Sequence, residues 1–133
     1  MATLDTRVKI ASWDERPTAE FDDGSKIAHA VVGLADGADG LTGGTFESVL
    51  YYRPDGTSSY VSAMRLTGTL DGRAGAFALT GSGTFDGTTA EGTSEIVPGS
   101  GTGGLAGISG TVVSRSTHTD YPYMPLRLTY RLA

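Results

Sequence analysis

The chain has 133 residues, a formal charge of −5, 20 Gly and no Cys. That length suits one domain around one core, and the missing thiols exclude disulfides, Cys-ligated zinc and thiolate nucleophiles. The acidic balance, spread over short segments, excludes the clustered Lys and Arg of a nucleic-acid footprint.

Glycine runs at roughly twice average usage and is scattered along the chain, which reads as frequent turns. Residues 1–8 carry no basic segment leading into an apolar stretch, and no apolar run reaches the length of a membrane span, so the expectation is a cytoplasmic protein without membrane contact. The first predicted strand covers residues 5–13, and the sequence leaves room for a short helical turn over 18–21. Asp23-Gly24 then turns the chain into a second strand, 26–34. Asp36-Gly37 and Asp39-Gly40 precede the third, 44–52; Asp55-Gly56 the fourth, 58–70; Asp71-Gly72 the fifth, 74–84; and Asp86-Gly87 the sixth, 89–97. Both residue types tolerate the positive φ of tight hairpins. Strands over 108–116 and 126–132 complete an eight-stranded meander. No window holds a 3.6-residue apolar repeat uncut by Gly or Pro, so long helices are not expected. Closure removes exposed edges, and the fold expected is all-β: an eight-stranded antiparallel barrel, one domain over residues 1–133.

Alternation separates inner from outer faces. Phe77, Leu79 and Phe85 share a face with Gly81 and Gly83, and Tyr60, Ser62, Met64 and Leu66 form the inner face of the fourth strand, since Arg65 lies on the other. For the third strand alternation leaves two choices open: Phe46, Ser48, Leu50 and Tyr52 inside, or Thr45, Glu47, Val49 and Tyr51.

Gly99, Gly101 and Gly104 fit a G-x-G-x-x-G pattern, but no helix follows to receive a pyrophosphate, so a glycine-rich turn is expected. His29 and His118 have no carboxylate at ligand spacing, and no G-x-S-x-G elbow is present. Glu47 stands alone as a carboxylate in an apolar, aromatic strand. Facing outward it is an ordinary solvated charge; facing inward, desolvation raises its pKa toward the range of proton transfer. Trp13 is either a plug at the barrel end or a ligand platform, and Tyr51 and Tyr60 are either strand residues or phenols that need a partner inside.

Several segments carry a resemblance over nearly the whole chain. They are Ser12-Trp13-Asp14-Glu15 with Pro17, Tyr52-Arg53-Pro54-Asp55-Gly56-Thr57, Thr67-Gly68-Thr69 with Gly72-Arg73, and Gly83-Thr84-Phe85-Asp86-Gly87 leading to Val97-Pro98-Gly99-Ser100-Gly101-Thr102-Gly103 and Leu105-Ala106-Gly107. Together they resemble the bacterial DUF3224 family, and the last segments, with the stretch from Gly107 to Thr111, look like the barrel of allene oxide cyclases and dirigent proteins. The resemblance implies acidic residues at the positions of Glu47 and Met64; this chain keeps the first and has a thioether at the second, which favours an inward Glu47. Residues 117–125 depart from the family pattern and read as a rebuilt loop.

The resemblance implies a cofactor-independent cyclase or isomerase acting on a small hydrophobic metabolite, polyketide-like or oxylipin-like, held inside the barrel. Glu47, Tyr60 and Tyr51 are the expected catalytic groups, and Trp13, Val49, Met64, Leu66, Phe77 and Leu79 the expected ligand contacts. The alternative is a lipocalin-like carrier that returns its ligand unchanged. A third reading has the lumen packed solid by Phe77, Leu79, Phe85, Leu66 and Met64. Apolar residues expected on outer faces, Val61, Ala63, Val112 and Leu50, point to a homo-oligomer, a trimer or dimer.

Overall fold

The computed structural model describes all residues, Met1–Ala133. Eight antiparallel strands follow one another around a closed ring, β1 (Ala2–Glu20), β2 (Lys26–Ala35), β3 (Leu41–Tyr52), β4 (Ser58–Leu70), β5 (Arg73–Phe85), β6 (Thr89–Ile96), β7 (Ser109–Thr117) and β8 (Tyr123–Arg131). Each strand pairs with its sequence neighbours, and β8 returns to β1 through Ala2↔Tyr130 to Lys9↔Tyr123. Closure divides β1 between two partners: its first half, to Lys9, pairs with β8, while its second half, beyond Ile10, is paired with β2 alone. The one helical segment is a single 3-10 turn, Gly103–Leu105, and no helix is long and apolar enough to cross a membrane.

The turn chemistry does what the Asp-Gly pairs foretell. Between Leu70 and Arg73, which face each other across the hairpin, Asp71 and Gly72 both take positive φ, 51° and 76°. That left-handed pair matches the right-handed twist of the flanking strands. At Asp23, Asp55 and Asp86 the carboxylate instead accepts the backbone N–H two residues on, from Ser25, Thr57 and Thr88. Each turn is thereby fixed by its own side chain, and these bonds hold the three carboxyls below their ordinary value.

Two expectations about β1 and its neighbours need correction. The strand runs to Glu20 without the helical turn left open over 18–21, because pairing with β2 as far as Glu20↔Lys26 holds the backbone extended. The strand is also irregular, with register shifts between Ile10 and Ser12 and between Pro17 and Ala19. Residues 117–125 are only partly loop, since Tyr123 to Pro125 belong to β8 and pair with Lys9 to Arg7.

Packing divides the ring into two halves. In one, Val8, Leu66, Phe77, Leu79 and Leu128 fill the lumen, each 1 % exposed or less. The segment after β6 folds back along β5, where Val97 and Thr102 donate to the carbonyls of Ala78 and Ala76, and presses Leu105 and Ile108 across that end as a plug. Each fully buried side chain of this kind stabilises the fold by about 1.5–3 kcal/mol. Val112, and Leu50 on the wall of the other half, also face the interior, at 3 % and 7 % exposure. Their expected place on an outer face is therefore incorrect: Leu50 alternates with Val49 and Tyr51, which take the solvent, and Val112 alternates with Thr111 and Val113.

Candidate functional site

The other half of the ring is not filled. It holds a cavity of about 310 Å³, so the lumen is neither hollow throughout nor packed solid. Phe85 and Met64, two residues of the solid-core reading, line that cavity rather than close it.

Its walls are set by strand alternation. Phe46↔Met64, Ser48↔Ser62, Leu50↔Tyr60 and Tyr52↔Ser58 are directly opposed on β3 and β4, and all eight residues face the lumen. On β5 and β6 the inward positions include Gly81, Gly83 and Gly92, and space opens where side chains are missing. Tyr60 uses part of that space. A Cβ on Gly83 would collide with the Tyr60 hydroxyl oxygen and lie 2.5 Å from its Cζ, so the phenol rests against bare backbone. Burial alone pushes the Tyr60 phenol above its ordinary value, with no charged or hydrogen-bonded neighbour contributing.

The entrance is built by β1. Trp13 pairs with Val32 and Glu15 with Ala30, and both β2 partners are fully buried on the inner face. The extra residue between Ile10 and Ser12 changes the phase of the strand, so that Ile10, Trp13 and Glu15 all lie on the lumen side. The Trp13 ring meets Phe46 edge to face at 5.9 Å, and its indole N–H donates to Glu15 Oε1 at 3.2 Å. The Tyr52 hydroxyl donates to Glu15 Oε2 at 2.8 Å. Burial, then the adjacent Glu15 carboxylate, push the Tyr52 phenol up to about 12. Lys26 completes the rim, its Nζ lying 4.9 Å over the Tyr52 ring. Both oxygens of this acid at the entrance are thus held by aromatic donors.

Of the sequence-predicted site residues, Tyr60, Met64 and Trp13 come together around this cavity. Leu66, Phe77 and Leu79 lie beneath it in the packed half and form its support rather than its lining. Glu47, Val49 and Tyr51 require correction, because they point away from the lumen. Glu47 pairs with Val31 and Ala63, outward residues of β2 and β4, and its carboxylate, 61 % exposed, sits 2.9 Å from His29 Nε2. Val49 is 50 % exposed and Tyr51 42 %. The reason is economy of desolvation: the β3 face with Phe46 and Leu50 buries apolar area, whereas the face with Glu47 would strand a charge. Met64 stands opposite Phe46, not Glu47, so the two positions of the family pattern lie on different faces of the sheet.

Glu15, Tyr52 and the inward serines were not singled out from the sequence as site residues. The signal for Glu15 lay in the Ser12-Trp13-Asp14-Glu15 segment, but without the register shift at Ile10 its face could not be assigned. A wider groove of about 730 Å³ crosses the outside of β1, β7 and β8. Its guanidinium groups are already engaged, Arg127 with Asp5, Arg115 with Glu91 and Arg7 over the Tyr123 ring, and the groove lies open to solvent. No three His, Asp or Glu side chains gather in a way that could hold a metal ion.

The geometry can be set beside known proteins. Residues 5–130 match the family model described as protein of unknown function (DUF3224). A crystal structure of a protein with unknown function from the DUF3224 family, from Shewanella oneidensis MR-1, superposes with a TM-score of 0.72 at 20% identity, covering 99% of each chain. At that identity the likeness speaks for the fold. No curated protein matches the chain. With a family model spanning nearly its full length and a solved member of the same fold, the chain belongs to the DUF3224 family.

Proposed function

We propose that this protein binds a small molecule in the open half of its ring, entering past Trp13 and the Tyr52–Glu15 pair. The carrying observation is the cavity of about 310 Å³, bounded by aromatic, thioether and hydroxyl side chains. That volume is at the lower end of the roughly 300–1,000 Å³ usual for small-ligand sites. The closed eight-stranded ring supports grouping the protein with the allene oxide cyclase-like barrels.

The second reading, a cyclase or isomerase without a cofactor, is favoured by the acid at the entrance. Glu15 accepts the Tyr52 hydroxyl proton in a hydrogen bond of 2.8 Å, a disposition from which a carboxylate can accept a proton from a bound ligand and return it elsewhere. In that reading Glu15 takes the part expected of Glu47, Tyr60 supplies the free phenol, and the fixed cavity holds the reacting atoms close. Incubation with folded-chain polyketide or oxylipin analogues followed by mass spectrometry separates the readings. A binding protein returns every ligand at unchanged mass and isomer composition. Isomer conversion that disappears in Glu15→Gln establishes the catalytic reading, and absence of binding by calorimetry for neutral aromatic as well as anionic probes refutes both.

A further inference from the structure

The two sides of the cavity differ in chemistry. One carries Trp13, Phe46 and Met64, two rings set edge to face and a polarisable sulfur, a corner that suits an aromatic body. The other carries hydroxyls in a cross-strand layer. Ser48 pairs with Ser62, Ser62 with Gly81 and Gly81 with Ser94, so three serines span four strands at one level, with only a glycine between the last two. The Ser48 and Ser62 oxygens bond each other at 2.5 Å. The hydroxyls of Ser94 and Tyr60 make no hydrogen bond within the protein, yet no buried polar side-chain atom lacks a partner. These two groups therefore open onto the cavity, ready to donate or accept.

Charge is arranged the other way. Arg65, Arg115, Arg127, Glu47, Glu91 and Glu95 all alternate outward. On the inner face the charges are Glu15 and Lys26, both at the entrance, where the acid bonds to Tyr52 and the ammonium stacks over the same ring. A ligand carboxylate pushed to the serine layer would meet no cation, and burying an unpaired charge is far costlier than burying a hydrogen-bonded neutral oxygen.

From these walls we propose that the ligand is a neutral, oxygenated aromatic molecule, its ring against Trp13 and Phe46 and its hydroxyl or carbonyl oxygens on the Ser62–Ser94 layer and Tyr60. The inference rests on the binding reading above and narrows it, setting aside fatty acids and other anions as occupants of the deep cavity.

Trp13 is the one tryptophan of the chain, so its fluorescence reports occupancy directly. Three probes of one ring size are titrated into the full chain at neutral pH: naphthol, naphthalene and naphthoate. Naphthol is expected to bind about tenfold more tightly than naphthalene, the factor given by one or two net hydrogen bonds, and naphthoate more weakly than either. In the double variant Ser62→Ala, Ser94→Ala, naphthol is expected to fall to the level of naphthalene while naphthalene binding persists, which also shows that the variant is folded. Equal affinities for naphthol and naphthalene, or preference for naphthoate, would overturn the ligand class and leave the binding reading standing. No quenching by any of the three would overturn the binding reading itself.

Discussion

Glu15 and Tyr52 are the residues on which the site's protonation turns. Replacing the carboxylate by an amide, Glu15→Gln, removes the negative charge that discourages a phenolate at Tyr52 but leaves the burial that also raises it. Tyr52 is expected to titrate below its present value of about 12 in the variant while staying above the ordinary 10.0. Ultraviolet absorbance of tyrosinate reads this, and a phenol unmoved in the variant would show that Glu15 does not govern it. The sign for stability follows from linkage. A phenol whose folded pKa exceeds its unfolded value contributes stability that is complete below about 10 and is lost as pH rises from there through about 12. The aspartates at the turns act at the opposite end. With folded values below 3.8, their contribution is present above that pH and disappears as pH falls below it.

At the scale of elements, two glycines do different jobs. Gly72 sits at φ 76°, and a Cβ added there would meet nothing within 4 Å, so Gly72→Ala tests backbone conformation alone and should cost about 1 kcal/mol. Gly83 gives passage to the Tyr60 ring, and Gly83→Ala drives a methyl into Tyr60 and the Glu91 carbonyl. Overpacking of that kind costs roughly 1–3 kcal/mol, and it should also lower probe binding, which Gly72→Ala leaves intact. Urea denaturation compares the two variants, and equal binding in both would show that Tyr60 is not held in place by the bare β5 backbone. The same scale explains the misplacement of Glu47. One residue along β3 changes the face, and the Phe46-to-Tyr52 face had both the larger apolar area and no charge, a difference that hydrophobic burial decides.

Across the whole molecule, one half of the ring supplies the packed core and the other the cavity, an arrangement in which cavity-lining groups can be altered without emptying the core. The outside is asymmetric too. On the outer face of β2, β3 and β4, Val31, Val49, Tyr51 and Val61 are 41–58 % exposed, and they alternate with inward residues that cannot turn to cover them. Self-association through this face is the expectation that Val61 and Ala63 already raise in the sequence. Light scattering should return a mass above one chain for the native protein and a single-chain mass for Val49→Ser with Val61→Ser. A native protein of single-chain mass would remove the ground for an oligomer.

The strand count, the hairpin turns and the inward faces of β4 and β5 were legible in the sequence, because Asp-Gly chemistry and period-two alternation are local properties of the chain. Which half of the lumen fills, and which carboxylate stands at its entrance, were decided only in the tertiary structure. Glu15 comes to the lumen side of β1, at the entrance, through an extra residue at Ile10–Ser12 that takes its meaning from pairing with β2, and Glu47 faces outward because β2 and β4 fix the register of β3. Alternation fixes a side chain's face only relative to its neighbours, and the absolute choice belongs to the partners across the sheet.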